Sequence, residues 1–483
     1  MSDTIKPRAP TLLEALLPIL SMVFLLGVGY AAFDLPPEPL MVLSTVIAAL
    51  LVKRLGHDYN AILESISQKI AKTMPALLIL ISVGLLIGTW MAGGTIPLMI
   101  YYGLKLIDPA MLYVTALLVT SVVSVCTGTS WGSAGTVGVA FMGVAIGMDA
   151  NVAATAGAVV AGAYFGDKLS PLSGDTNLAA MAAQVDLYEH IGHLLYTTLP
   201  SLILSAVVLF FYGMNSDLGG VAIPDKVLII TDGLKSIYHF NFLLLLPIAI
   251  VLYGSITKKP TIPVMLVSAL VAMLNASFIQ GFSLHDVVKS AVDGFNISML
   301  GDREVNPLLS NLLNRGGMNS MMSTLLICFC ALSFAGTLAL SGALEVIVHN
   351  LLKLVHSTGT MILATLACGL TMISVTCNGQ ISILIPIEML RNAYIERGLH
   401  PKNLSRTVED SATIFEPILP WTAAGAYMAG TLGVATLSYL PWAILCWSGI
   451  FFATLWGFTG FGIARLNKEQ QTQLMAQAAS NLK

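Results

Sequence analysis

The stretch Thr127-Gly128-Thr129-Ser130-Trp131-Gly132-Ser133 interrupts a chain that is otherwise strongly apolar. A similar break, Ser374-Val375-Thr376-Cys377-Asn378-Gly379-Gln380, lies in the second half of the sequence. Each break is followed by a short polar segment, which contains Asp167 in the first half and Asp410 in the second. In a membrane protein, paired helix breaks with nearby carboxylates indicate an ion or substrate site at the interface of two repeats.

The composition is that of a membrane protein. Apolar residues make up 56% of the 483-residue chain and charged residues only 10%, whereas soluble domains carry about 25% charged residues. The mean hydropathy is +0.82, so the sequence predicts an all-α polytopic membrane protein. The net charge is -3 and there is no long basic run, which excludes nucleic acid as an expected partner. The six cysteines form no CxxC pair and are expected to pack as small core residues.

The apolar runs predict about 11–13 transmembrane segments. Several runs are shorter than a full crossing, so we expect broken helices or re-entrant hairpins where protein or water satisfies the backbone. The basic residues that flank the runs predict, by the positive-inside rule, that both termini are cytoplasmic. The amphipathic segment 284–299 and the polar loop 301–306 divide the chain. Residues 1–300 then hold the N-terminal helices and the first repeat, and residues 301–483 hold the second repeat and the C-terminal helices.

Carboxylates within apolar segments are the strongest functional candidates. A carboxylate inside a membrane span costs at least ~2.5 kcal/mol, so it usually marks a binding or proton-carrying site. We expect Asp167 and Asp410 to bind the exchangeable proton or a Na+ ion, Asp175 to supply further oxygens, and Glu416 to be a reserve candidate. Asp167 with Ser170 and Asp410 with Thr413 share a three-residue spacing, which the sequence suggests as the register of the repeat.

Each of these acids also has an ordinary structural explanation. Asp167 can pair with Lys168, and Asp175 can cap the N-terminus of the helix that follows it. Asp410 can cap a helix close to Arg406. The histidines show no metal-binding spacing and are expected in loops or at the membrane edge.

The breaks themselves offer neutral oxygen ligands. Unwound backbone exposes carbonyl groups, and half-helix N-termini carry partial positive charge. The alternative is that the glycines after Gly128 only permit close helix packing. The residues of the breaks that we expect at a cation or proton site are Gly128, Thr129, Ser130, Asn378 and Gln380.

The chain resembles the NhaC family of sodium/proton antiporters. The resemblance rests on Gly128 to Thr136 and, above all, on Gly166-Asp167-Lys168-Leu169-Ser170-Pro171-Leu172-Ser173-Gly174-Asp175-Thr176; the match in 413–421 is less specific. It implies an ion-transporter-type fold with two inverted repeats, a multi-pass protein of the bacterial inner membrane, and secondary transport without ATP. That family also includes a malate–lactate antiporter coupled to Na+ and H+.

We therefore expect a secondary antiporter that exchanges Na+ for H+, with no cofactor. The first alternative is a Na+- and H+-coupled exchanger of a small organic anion or amino acid, for which Lys168 and Arg406 are the nearby cationic groups. A membrane-embedded enzyme is the second alternative, although the sequence contains no HExxH motif and no evident catalytic pair. Whether the chain forms a homodimer is left open by the sequence.

Overall fold

The computed structural model describes residues 7–30, 33, 35–216, 223–301 and 306–481. Within these ranges the chain is helical and contains no β-strand, which confirms the predicted all-α polytopic class. Residues 302–305 of the polar loop that was predicted to divide the halves lie outside the described residues.

The first half contains fourteen helices of the described chain, which we number in chain order. They are α1 Leu12–Phe24, α2 Pro37–Arg54, α3 Tyr59–Ala92, α4 Thr95–Leu106, α5 Leu112–Thr127, α6 Ser130–Ser133, α7 Val139–Gly147, α8 Val152–Leu169, α9 Gly174–Ala183, α10 Leu187–Asn215, α11 Ile223–Ile237, α12 Leu246–Ile256, α13 Thr261–Phe278 and α14 Leu284–Asp293. A π-helical turn, Ala134–Gly138, joins α6 to α7.

The second half contains ten more helices within the described ranges. They are α15 Pro307–Leu313, α16 Met322–Leu340, α17 Ala343–Lys353, α18 Thr358–Thr376, α19 Gly379–Glu396, α20 Pro401–Ser411, α21 Ala423–Leu432, α22 Thr436–Tyr439, α23 Ile444–Thr459 and α24 Lys468–Asn481.

Eight helical segments of the described chain are long and apolar enough to cross a membrane, or nine if the bent pair Val227–Ile237 and Phe242–Ile256 is one span. The eight segments are Leu12–Gly29, Tyr59–Ala92, Pro109–Thr127, Ser130–Gly147, Leu187–Asn215, Thr261–Phe278, Met318–Leu340 and Thr358–Thr376. The prediction of 11–13 segments also counted shorter apolar stretches, such as the one that forms α23.

The two breaks have the same backbone conformation. Gly128 (φ 66°, ψ 32°) and Cys377 (φ 53°, ψ 25°) are both left-handed. The next residues, Thr129 (φ -148°, ψ 119°) and Asn378 (φ -144°, ψ 117°), are both extended and cap the following helix. The two breaks are offset by 249 residues (377 minus 128), and the chain therefore repeats its conformation at this spacing.

The same offset holds well beyond the breaks. Helices α9 and α21 are both ten residues long, and their N-caps, Ser173 and Thr422, are also 249 residues apart. Both helices end in a left-handed residue, at Gln184 and Gly433. Between 128–184 and 377–433 the left-handed residues and the helix starts therefore recur, although α20 ends at Ser411, whereas the counterpart of Leu169, the last residue of α8, is Ile418. How the two copies are oriented in the membrane stays a prediction.

Close packing of α5 against α8 brings the first acidic segment to the first break. A side-chain carbon at Gly166 would lie 2.4 Å from Ser124 Cβ and 2.5 Å from the Ser121 carbonyl oxygen, so only glycine allows this approach. The Ser124 hydroxyl donates to the Ala163 carbonyl at 2.6 Å. Asp167, the residue after this contact, is therefore held beside the break.

Candidate functional site

Each break is stabilised by its own hydroxyl and amide groups. The Thr129 hydroxyl accepts the Gly132 N–H, and Asn378 Oδ1 accepts the Ile381 N–H. In both copies a serine at the equivalent position of the half-helix, Ser133 or Ser382, donates to the carbonyl of the capping residue at 2.8 Å. Because caps satisfy the first N–H groups of a helix, both half-helices can begin inside the protein.

Asp167 faces the beginning of the first half-helix. The Ser130 hydroxyl donates to Asp167 Oδ2 at 2.7 Å. The Ser130 backbone N–H and the Ser173 hydroxyl also interact with this carboxylate. A carboxylate at a helix N-terminus is favoured by the N–H groups that point toward it.

Glu416 takes the corresponding place at the second half-helix. A side-chain carbon built on Gly379 would lie 2.9 Å from Glu416 Oε2 and 3.7 Å from Asp175 Oδ2, so both carboxylates lie close above this glycine. The Ala424 backbone N–H also interacts with Glu416. Gly379 follows Ser130 by 249 residues, and Glu416 follows Asp167 by the same number.

This relation corrects the register of the repeat that the sequence suggested. The three-residue spacing matched Asp167 to Asp410, but the repeated backbone matches Asp167 to Glu416. Asp410 instead corresponds to Ala161 in α8. The sequence pattern was misleading because the repeat is carried by backbone conformation and caps, whereas Asp167–Ser170 and Asp410–Thr413 are only locally similar.

One cavity of about 460 Å³ connects the two breaks. Eight of the predicted site residues line it: Gly128, Thr129, Ser130, Asp167, Asp175, Asn378, Gln380 and Glu416. Lys72, Thr73, Trp131 and Thr261 also line it and were not predicted. The indole of Trp131 stacks on Tyr427 with ring centroids 4.2 Å apart, so this wall of the cavity is a packed aromatic pair.

Three predicted residues do not reach the cavity lining. The Ser170 hydroxyl donates to the Val125 carbonyl at 2.7 Å, and the Thr413 hydroxyl donates to the Glu409 carbonyl at 3.0 Å. Asp410 is buried in an ion pair. The hydroxyls of Ser170 and Thr413 thus donate to backbone carbonyls, and the predicted role of these residues as ion ligands stays a prediction.

The partner of Asp410 is Lys168. Lys168 Nζ bonds to Asp410 Oδ1, and the two side chains are 3% and 0% exposed. The Thr197 hydroxyl donates to the same carboxylate oxygen at 2.9 Å. This pair joins α8 to α20 and replaces both sequence-based alternatives, a Lys168–Asp167 pair and a cap at Asp410. The structure therefore does not bring Asp410 to the cavity that Asp167 lines.

A second polar group lies between α10 and α20. His190 Nε2 lies 2.7 Å from Glu409 Oε1, and both side chains are buried. His190 was expected in a loop or at a membrane edge and is instead fully buried. Glu409 and His190 are 219 residues apart in sequence, and no local pattern indicates their contact.

The N-cap of α9 is Ser173, so the alternative explanation of Asp175 as the cap of this helix is wrong.

The cavity is suited to bind cations. Three carboxylates, from Asp167, Asp175 and Glu416, and one ammonium, from Lys72, line its wall, so its charge is negative when all four groups are ionised. Within the described ranges, no three His, Cys, Asp or Glu side chains are arranged to hold a metal ion together. A bound cation would therefore combine a carboxylate with neutral oxygens such as those of Ser130, Thr129 or Asn378.

Comparison with known proteins agrees with this architecture. The model of the "Na+/H+ antiporter family" matches residues 104–173 and 162–461. The chain belongs to this family, in the NhaC group. A curated relative from Haemophilus influenzae, an "Uncharacterized Na(+)/H(+) antiporter", is 72% identical over 97% of this chain and 100% of its own length.

Two further relatives have names that state different transported solutes. The "Malate-2H(+)/Na(+)-lactate antiporter" of Bacillus subtilis is 37% identical over 94% of this chain and 96% of its own length. The "Na(+)/H(+) antiporter NhaC" of Alkalihalophilus pseudofirmus is 33% identical over 92% and 96%. The family match covers both breaks and all three acids of the cavity, and it identifies the chain as a multi-pass membrane antiporter.

Proposed function

We propose that this protein exchanges Na+ for H+, and that Asp167, Asp175 and Glu416 bind the two ions in turn. The observation that carries the proposal is the convergence of these three acids and the two helix breaks on one cavity. Glu416 is buried, and Asp167 and Asp175 are half-buried in the cavity wall. A carboxylate removed from water is costly without a positive partner, and among the described lining residues Lys72 is the one that carries a positive charge. Protons or cations can supply the remaining charge.

Competition between the two ions provides the coupling. A carboxylate that holds a proton cannot hold Na+, and an ionised, empty carboxylate is costly to move through an apolar environment. The site is therefore expected to reorient when it is loaded with either ion and not when it is empty. We propose that the protein lies in the bacterial inner membrane, as its resemblance to the NhaC family implies. Both termini are expected in the cytoplasm, as the basic flanks of its spans predict.

A second candidate follows from the size of the cavity. About 460 Å³ is far larger than a Na+ ion needs and lies within the ~300–1,000 Å³ range of small-molecule pockets. Lys72 and the amide groups of Asn378 and Gln380 can donate hydrogen bonds to an organic anion. The B. subtilis relative named as a malate–lactate antiporter supports this alternative.

The test uses purified protein in liposomes that carry an imposed pH gradient. Na+, Li+ and K+ are added in turn, and malate and lactate are tested beside them. Collapse of the gradient by Na+ alone supports Na+/H+ exchange, and collapse only when an organic acid is present supports the second candidate.

Charge-neutralising variants then test the site. Asp167→Asn and Glu416→Gln should each abolish exchange while the protein remains folded. Glu388→Gln is the matched control, because Glu388 is an exposed acid on α19, the half-helix that begins at Gly379. Wild-type rates in both cavity variants would refute the proposed site.

A further inference from the structure

A hydrogen-bonded chain of three side chains runs beside the cavity. The Ser405 hydroxyl lies 2.9 Å from His190 Nδ1, and His190 Nε2 lies 2.7 Å from Glu409 Oε1. Ser405 and His190 are fully buried, and Glu409 is 1% exposed. Both nitrogens of the imidazole are therefore engaged, one with a hydroxyl and the other with a carboxylate, and none of the three side chains lines the cavity.

The outer end of this chain approaches an opening in the protein surface. A cavity of about 390 Å³ is lined by Glu189, Gly192, His193, Tyr196, Lys402 and residues 462–464. Glu189 precedes His190 directly. The Ser405 hydroxyl also lies 3.3 Å from the carbonyl oxygen of Lys402, which lines the opening. Ser405 therefore contacts a residue, Lys402, that lines a space which solvent can enter.

The inner end approaches the cation cavity. Glu409 is close enough to Asp167 and to Asp175 to interact with both electrostatically. On α10 and α20, the helices that carry these side chains, four buried polar atoms have no hydrogen-bond partner: Arg406 Nε, Arg406 Nη2, Thr198 Oγ1 and Asp410 Oδ2. Buried polar groups of this kind are normally satisfied by ordered water, so the two helices offer positions for water.

We propose that Ser405, His190 and Glu409 form a proton relay that connects this opening with the carboxylates of the cavity. The inference rests on the proposed Na+/H+ exchange, for which it supplies the path of the proton. Histidine suits this role because its two nitrogens can accept a proton on one side and release one on the other.

The transfer can be followed atom by atom. His190, protonated at Nε2, gives that proton to Glu409 Oε1 while Nδ1 accepts the Ser405 hydroxyl proton. Water at the opening replaces the proton of Ser405. Glu409 then passes its proton through water to a cavity carboxylate. The imidazole, which now carries its one proton on Nδ1, regains its first tautomer by exchange with water: one water takes the Nδ1 proton and another gives a proton to Nε2, without the use of Ser405 or Glu409. One proton has then moved inward, and no group of the relay has changed its charge.

The charges around the relay are mixed. The titratable and charged groups that face it are Asp167 and Lys168 from α8, Asp175 from α9, Glu189 and His193 from α10, and Lys402, Arg406 and Asp410 from α20. His193 bonds to the Asn403 amide oxygen at 3.1 Å. It therefore has a neutral partner where His190 has a carboxylate.

The alternative is that His190 only stabilises the contact between α10 and α20. Glutamine separates the two roles, because its amide can still donate to Glu409 but cannot carry a proton between two partners. His193→Gln is the matched control, since it changes a buried histidine of the same helix whose partner is an amide.

The experiment measures two fluxes of the full-length protein in liposomes. Na+-dependent H+ movement requires proton transfer, whereas exchange of radiolabelled Na+ for unlabelled Na+ at equal pH requires only the cation site. We expect His190→Gln to slow Na+/H+ exchange by at least about tenfold and to leave Na+/Na+ exchange unchanged. His193→Gln should leave both fluxes unchanged.

Two further variants strengthen the test. His190→Ala should regain Na+/H+ exchange when imidazole is added, because the small molecule replaces the missing proton carrier. If His190→Gln fails to fold, Ser405→Ala removes the outer link and should show the same selective loss. Wild-type Na+/H+ exchange in His190→Gln, or an equal loss of both fluxes, would overturn the relay. A wild-type protein without Na+-dependent H+ movement would instead refute the proposed function.

Discussion

The buried Lys168–Asp410 pair makes a quantitative prediction about stability. Its side chains are 3% and 0% exposed, and Asp410 also accepts from Thr197 and interacts with Arg406. Asp410→Asn removes the only formal negative charge of this group and leaves two buried cations. Breaking a buried ion pair from one side costs about 3–5 kcal/mol, so we expect Asp410→Asn and Lys168→Met each to lose stability on that scale.

The double variant tests whether the loss arises from the pair itself. Replacing both partners by apolar residues of similar size is often nearly neutral, so Lys168→Met with Asp410→Leu should regain most of the lost stability. The double-mutant cycle compares this variant with Lys168→Met and Asp410→Leu alone. With single losses of about 3–5 kcal/mol each and a nearly neutral double variant, the coupling energy should be about 5 kcal/mol or more. The coupling energy is measured by unfolding in detergent micelles. Glu388→Gln is the control, because its stability should equal that of the wild type.

Two results would refute this reasoning. The first is an Asp410→Asn protein as stable as the wild type, and the second is a double variant whose loss equals the sum of the two single losses. The double variant also tests whether Asp410 is needed only for stability or also for transport. If it folds and still exchanges Na+ for H+, Asp410 carries no transported ion; if it folds and is inactive, the sequence-based expectation that Asp410 takes part in exchange holds.

Three smaller changes probe the breaks. Gly379→Ala places a methyl group 2.9 Å from Glu416 Oε2, so we expect a folded protein with a raised KM for Na+, measured from the Na+ dependence of exchange; an unchanged KM would contradict the placement of Glu416. Gly128→Ala puts a side chain at φ +66° and 2.5 Å from Leu172 Cβ, which should cost at least about 2 kcal/mol in detergent unfolding. Ser133→Ala removes one hydrogen bond to Thr129 and should cost only about 1 kcal/mol with exchange retained; a loss of exchange would give Ser133 a direct role.

Much of the site could be predicted from the sequence because polar residues in an apolar chain carry a strong signal. The two stretches that contain the breaks, 127–133 and 374–380, were identified, and Asp167, Asp175 and Glu416 were all identified as candidates. Such residues are costly in a membrane unless they serve a site. Whether they bind Na+ and H+ stays a prediction that the transport experiments test.

The ion pairs could not be predicted in the same way. Lys168 and Asp410 are 242 residues apart. They lie on α8 and α20, two helices whose contact no local pattern reveals. Local adjacency suggested Asp167 as the partner of Lys168, but consecutive residues of a helix point in different directions. Lys72 also lines the cavity and was not among the predicted site residues.

The register of the repeat was within reach of the sequence. Gly128 precedes Asp167 by the same number of residues as Cys377 precedes Glu416, and this equal spacing would have matched the two acids. The similar residue types around Asp167 and Asp410 suggested instead that these two acids correspond. Where a repeat is carried by backbone conformation, equal spacing from a break is a better guide than local similarity.

The repeat also shows which parts of the protein are not duplicated. The acids that face the half-helix N-termini, Asp167 and Glu416, occur in both copies. Lys168 corresponds to Pro417 and Glu409 to Val160, and His190 lies outside the repeated range, so neither the ion pairs nor the proposed relay is duplicated. If the two copies are inverted in the membrane, as the resemblance to the NhaC family implies, a site built only from repeated residues would offer the same groups to both faces of the membrane. The unrepeated groups make its two approaches chemically different, and this difference gives a proton a route that Na+, which needs several oxygen ligands at once, does not share.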